Sequence, residues 1–112
     1  MKKETIRVYY KRPGKNLIDV KIPNELEWLQ GAVEGYVEAA TLRKGENGMP
    51  DLVMLCNEEG KLKNMEPNFL WQYDQVVGPV LFVGADSEGD FTDCPMNREQ
   101  LKEYLWGLGV RL

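Results

Sequence analysis

Residues 51–84 constrain the fold of this chain more than any other stretch. Two apolar runs, Leu52-Val-Met-Leu-Cys56 and Val80-Leu-Phe-Val83, flank a polar segment rich in Asn, Glu, Gly and Pro. Runs this short, apolar on both faces, predict strands buried within a sheet, with residues 52–56 central in it. The polar segment between them predicts a structured loop. The second strand is expected over 76–84, interrupted at Gly78-Pro79. Because Pro cannot donate to a ladder, Pro79 belongs at a bulge, an edge or a strand start.

The flanking sequence fills in the sheet. Residues 5–10 alternate, with Ile6, Val8 and Tyr10 on one face, and residues 17–22 alternate with Ile18, Val20 and Ile22 on one face. Arg12-Pro-Gly-Lys-Asn16 between them suits a type II turn, so the pair predicts a hairpin. Asn24 is the expected N-cap of a first helix, with Glu27 completing a capping box, Leu26, Leu29 and Val33 as its apolar face, and Gly35 as its left-handed end. A strand follows over 36–42, then a loop over 44–50. Asn57-Glu-Glu-Gly60 predicts a turn, Lys61-Leu-Lys63 a short return, and residues 66–73 a single helical turn. Residues 86–90 form a hairpin turn leading into 91–93. Asn97, with Gln100 three residues on, caps a last helix whose face carries Leu101, Tyr104, Leu105 and Leu108 and which ends at Gly107 and Gly109. Trp28 and Trp106 are expected between helix and sheet. The whole predicts one α+β domain over 1–112. Its mostly antiparallel sheet of about five or six strands is covered by one early and one C-terminal helix.

Apolar content of 43% and charged content of 29% exclude wholesale disorder. No stretch is apolar for long enough to span a membrane, and the first residues lack the apolar core of a secretory signal. The net charge of −4 argues against a nucleic-acid partner. The basic residues are unevenly spread, however. Lys2, Lys3, Arg7, Lys11, Arg12 and Lys15 crowd the N-terminal arm with Glu4 as the only acid. Cys56 and Cys94 read as reduced thiols of a cytoplasmic protein.

No reaction is written in the motifs. The chain has no His and a single Ser, Ser87, and carries no nucleophile elbow, phosphate loop or dinucleotide fingerprint. Neither cysteine has a His to activate it. Glu58 and Glu59 read as solvated acids of a turn. The expectation is therefore no enzyme, no cofactor and no metal. Asp86, Glu88, Asp90 and Asp93 are the one oxygen-ligand cluster, but their spacing is not that of an EF-hand loop and fits a charged hairpin tip. The candidate binding residues lie in the 57–73 segment. Asn57 and Asn68 offer donors and acceptors, Lys61 and Lys63 offer charge, and Phe69, Trp71 and Tyr73 offer stacking surface. Against this stands the structural reading, in which both Asn side chains tie down their own turns and Trp71 is core.

Several of these residues together resemble a known family. They are Gly35-Tyr-Val-Glu38 after a helix, Asn57-Glu-Glu-Gly-Lys-Leu62 after an apolar strand, Pro67-Asn68, and Gly78-Pro79 leading into a strand that ends at Gly84. Over roughly residues 5–106 the chain resembles the family called domain of unknown function 3846. That resemblance implies a setting in phages, prophages, plasmids and bacterial accessory regions, and no established activity. In the family an Arg commonly follows the Pro-Asn pair. Here Phe69 takes that place, so an anionic contact made by that Arg would be lost from this chain. The leading expectation is a non-catalytic phage or mobile-element accessory protein that binds a host macromolecule, with counter-defence as the role this setting suggests. The alternative is a binder of a small nucleotide signal, with Lys61 and Lys63 on phosphate and Trp71 on the base. A small enzyme and a DNA-binding module are less favoured. The first strand is expected at a sheet edge, where strand pairing could build a homodimer or the basic arm could guard the edge.

Overall fold

A computed structural model describes residues 2–112. The elements in order are β1 (Thr5–Lys11), β2 (Ile18–Pro23), α1 (Leu26–Val33), β3 (Val37–Arg43), β4 (Asp51–Asn57), β5 (Pro67–Trp71), β6 (Asp74–Val77), β7 (Val80–Ala85), β8 (Phe91–Thr92), α2 (Arg98–Gly107) and β9 (Val110–Arg111). The main sheet is antiparallel in the order β2-β1-β7-β4-β3, with β8 also paired to β7. A second antiparallel sheet runs β6-β5-β9. The chain is thus an α+β fold with one early and one C-terminal helix.

Three layers explain the two-sided apolar runs. On one face of the main sheet, Val53 and Leu55 of β4 and Leu81 and Val83 of β7 join Ile6, Val8 and Ile22 beneath Leu29 and Ala32 of α1. On the other face, Leu52, Met54, Val80 and Phe82 meet Phe69 of β5, Leu101 and Leu105 of α2, and Val110 of β9. Successive side chains of a strand point to opposite faces, so β4 and β7, covered on both, must be apolar throughout. Tyr9 is turned into the second core while Tyr10, on the first face, donates from its hydroxyl to Ala32 O of α1 at 2.8 Å. The Arg12–Lys15 turn forms as expected, with Lys15 N–H donating to Arg12 O at 3.1 Å and Gly14 at a φ of 72°. Asn97 and Gln100 cap α2 reciprocally.

Several expectations are corrected. The N-cap of α1 is Glu25, without a side-chain cap. Asn24 is buried instead and donates to Lys3 O and Phe91 O, both at 3.0 Å, stitching the N-terminal arm to β8. Two carbonyls distant in the chain outcompete one local cap. Ala32 takes the core position expected of Leu26, which is 61% exposed. The left-handed end of α1 is Glu34, with a φ of 65°. Gly35 serves a different need: a Cβ there would lie 2.6 Å from Nδ2 of Asn57. Residues 66–73 are not a helical turn, because β5 occupies Pro67–Trp71 and sends Phe69 into the core. Residues 61–63 make turns and no returning strand.

Residues 76–84 are two strands of different sheets, and Gly78-Pro79 is the step between them. β1 is interior, paired on both sides, and the edges of the main sheet are β2 and β3. Trp28 and Trp106 are 37% and 64% exposed, so neither fills the helix–sheet seam. Trp106 instead stacks under the guanidinium of Arg111, 3.6 Å from the ring centre.

Candidate functional site

The 57–73 segment joins the two sheets, and its residues divide by what they hold. Asn57 is buried at the end of β4. Its Nδ2 donates to Val33 O at 3.1 Å, and its Oδ1 accepts from Glu59 N–H at 2.7 Å. One amide thereby ties the turn after β4 to the end of α1, with Gly35 leaving the room. Asn68 spans a longer gap. Its Nδ2 donates to Lys11 O at 2.8 Å and Gly78 O at 2.7 Å, and its Oδ1 accepts from Lys11 Nζ at 2.9 Å. It pins β5 to β1 and to the step between the sheets. Phe69 is core, stacked on Phe82 with ring centres 6.4 Å apart.

Of the remaining candidates, Lys61 and Trp71 line a cavity of about 300 Å³ between the β5–β6 hairpin, the turn after β4, and the β3–β4 side of the main sheet. Ala40, Met54, Trp71, Val76 and Val77 give it apolar walls. Trp71 is half-buried, and its Nε1–H is the one buried side-chain polar atom without a hydrogen-bond partner among the described residues. Such a donor costs roughly 1–3 kcal/mol until an acceptor reaches it. Lys61 pairs with Asp74 and thereby latches the turn to the hairpin. Both are exposed, so this latch is worth little by itself. Leu62 is 85% exposed at the mouth, and Tyr73 is fully exposed at the hairpin tip. Lys63 is exposed and does not line the cavity.

The cavity is acidic. Its lining carries Glu38, Glu58, Glu59 and Asp74 against Lys61 alone. Cys56 also lines it, and the thiol lies 4.0 Å from Glu38 Oε1. Burial, and then the Glu38 carboxylate, push the Cys56 thiol up to about 11. It is therefore a neutral wall group at ordinary pH and not a thiolate nucleophile. Burial likewise raises the Cys94 thiol. No group of three or more acids, cysteines or histidines is placed to hold a metal ion among the described residues. The Asp86 carboxylate accepts from Glu88 N–H and Asp90 N–H, both at 2.9 Å, shaping its own turn. Asp93 accepts from Lys3 Nζ at 2.8 Å and Arg7 N–H at 2.9 Å, at the far end of β1. No helix is long and apolar enough to cross a membrane among the described residues.

The segment reading missed a second set of residues. Lys11, Lys15, Arg98 and Lys102 come together around a cleft of about 380 Å³ that Asn68 borders. Two signals for it were present in sequence: the basic arm, and the i, i+4 spacing of Arg98 and Lys102 on the last helix. Nothing local indicated that the two would meet.

No curated protein and no solved structure matches the chain. A family model does match, over residues 6–105, under the description Domain of unknown function (DUF3846). The matched region begins in β1 and ends inside α2, so it takes in the joining segment, the acidic cavity and the cations of the cleft. On that extent the chain belongs to the DUF3846 family.

Proposed function

We propose that this protein is a non-catalytic binding protein that engages a partner macromolecule at the mouth of the acidic cavity. The observation that supports this most is the cavity itself. It has apolar walls, to which the Trp71 ring contributes, and an excess of carboxylates at its rim. Such a site takes an apolar or cationic side chain of a protein. The exposed Leu62 and Tyr73 beside it suit the surround of an anchoring pocket. The same charge speaks against a nucleotide there, because phosphate would face four carboxylates and a lysine already paired with Asp74. The mobile-element setting implied by the resemblance makes a host protein the natural partner and counter-defence the natural role.

The test is site-specific photo-crosslinking in the bacterial host, with the crosslinker at Leu62 and, as a control, at Glu27 on α1. A discrete adduct from position 62 that disappears when Trp71→Ala is added, and is absent from position 27, supports the reading. Identical adducts from both positions, or an adduct indifferent to Trp71, would contradict it.

A further inference from the structure

The second cleft carries the opposite charge. Its charged side chains are Lys11, Lys15, Arg98 and Lys102, with no Asp or Glu among the lining residues; Leu112, which carries the one main-chain carboxylate, lines it as well. In a chain of net charge −4 this is a local inversion. None of the four forms an ion pair among the described residues. Glu34 and Glu66 border the neighbouring depression that Arg12 and Lys15 share, not this cleft.

Lys11 is the decisive member. It is 6% exposed, and its ammonium is held by neutral oxygens only: Arg12 O at 3.0 Å and Asn68 Oδ1 at 2.9 Å. Burying an ammonium without a counter-charge is costly, and carbonyl dipoles repay only part of that cost. Burial lowers its pKa accordingly. Around it stand three exposed cations from two other parts of the chain. Lys15 sits on the Arg12–Lys15 turn, and Arg98 and Lys102 are one turn apart on α2. Cations gathered this way repel one another unless an anion sits among them.

We infer that this cleft is a binding site for a small phosphate-bearing anion, a mono- or diphosphate group. The guanidinium of Arg98 would bind two phosphate oxygens in its planar fork, and the lysines would act as point charges around the rest. A concave site of this size suits a small anion, whereas the acidic surface elsewhere disfavours a long polyanion. The inference is independent of the acidic cavity and its partner.

Isothermal titration calorimetry with inorganic pyrophosphate at low ionic strength tests it. The expected result is saturable one-to-one binding that weakens at least tenfold in the double variant Arg98→Glu/Lys102→Glu. Both positions are exposed on α2, and an unchanged circular dichroism spectrum verifies the fold. Lys15→Glu, on a different element, is expected to weaken binding several-fold, and Trp71→Ala to leave it unchanged. Absence of saturable binding to the wild type, or equal binding by the double variant, overturns the proposal. A single-stranded oligonucleotide that binds more tightly with length and is not displaced by pyrophosphate overturns the ligand class.

Discussion

The two ends of β5 face opposite chemistry. At Asn68 the strand borders a cleft ringed by Lys11, Lys15, Arg98 and Lys102. Three residues on, at Trp71, it borders a cavity whose rim carries Glu38, Glu58, Glu59 and Asp74. Between them Phe69 turns inward and anchors the small sheet to the main one. The net charge of −4 therefore averages two local fields of opposite sign. The net charge argued against a nucleic-acid partner, and the fold gathers the acidic lining at one end of β5 and the basic lining at the other.

Removing the shared anchor tests whether the two ends are mechanically one unit. Phe69→Ala is expected to cost about 3–5 kcal/mol in denaturant unfolding, the range for a fully buried Phe. It should also weaken ligand binding at both ends. A loss below about 1 kcal/mol would mean that the small sheet is not held from its core side. The next change separates the ends. Asn68→Ala leaves Lys11 O and Gly78 O without that donor and takes one of the two acceptors, Arg12 O being the other, from the Lys11 ammonium. It should cost roughly 1–3 kcal/mol and disturb the basic cleft, while the amide signals of residues 58–62 stay in place by NMR.

The structure of this segment was only half legible in sequence. The two-sided runs of β4 and β7, the α2 cap and the Arg12–Lys15 turn depend on local pattern, and local pattern showed them. The strand over Pro67–Trp71 did not show, because Pro67 and Asn68 are poor strand formers and only pairing with β6 and β9 makes the segment extended. Asn57 and Asn68 were expected to bond their own turns or a ligand. Asn57 does bond its own turn, but both also reach carbonyls far away in the chain, and no spacing rule gives that. The basic cleft unites residue 11 with residue 98, which only the folded topology brings together.

Smaller effects sharpen the contrast at the Trp71 end. Trp71→Phe removes the unpaired N–H while keeping most of the ring packing, so the relieved penalty of roughly 1–3 kcal/mol offsets lost contact. Stability should change by under about 1 kcal/mol while partner binding falls. A large loss of stability would make Trp71 a structural residue. Asp74→Ala breaks the exposed pair with Lys61 and is expected to leave the unfolding midpoint almost unchanged, though the turn after β4 should exchange amide hydrogens faster.

The smallest effect lies at Asp93. The hydrogen bond from Lys3, and then that from Arg7 N–H, hold its carboxyl below the usual carboxylate range. A carboxyl lowered in the folded state contributes stability above its ordinary pKa, and that contribution is lost as pH falls through the lowered value. Melting temperature followed downward from about pH 6 through the carboxylate range should therefore fall less steeply for Asp93→Asn than for the wild type. Parallel curves would remove Asp93 from the acid response.

The most direct test of two oppositely charged sites on one strand is a ¹H–¹⁵N NMR titration with pyrophosphate. The account predicts saturable shifts at Lys11, Lys15, Asn68, Arg98 and Lys102, with the Trp71 indole and residues 58–62 unmoved. Shifts centred on the Trp71 indole, or spread evenly over the surface, would contradict it.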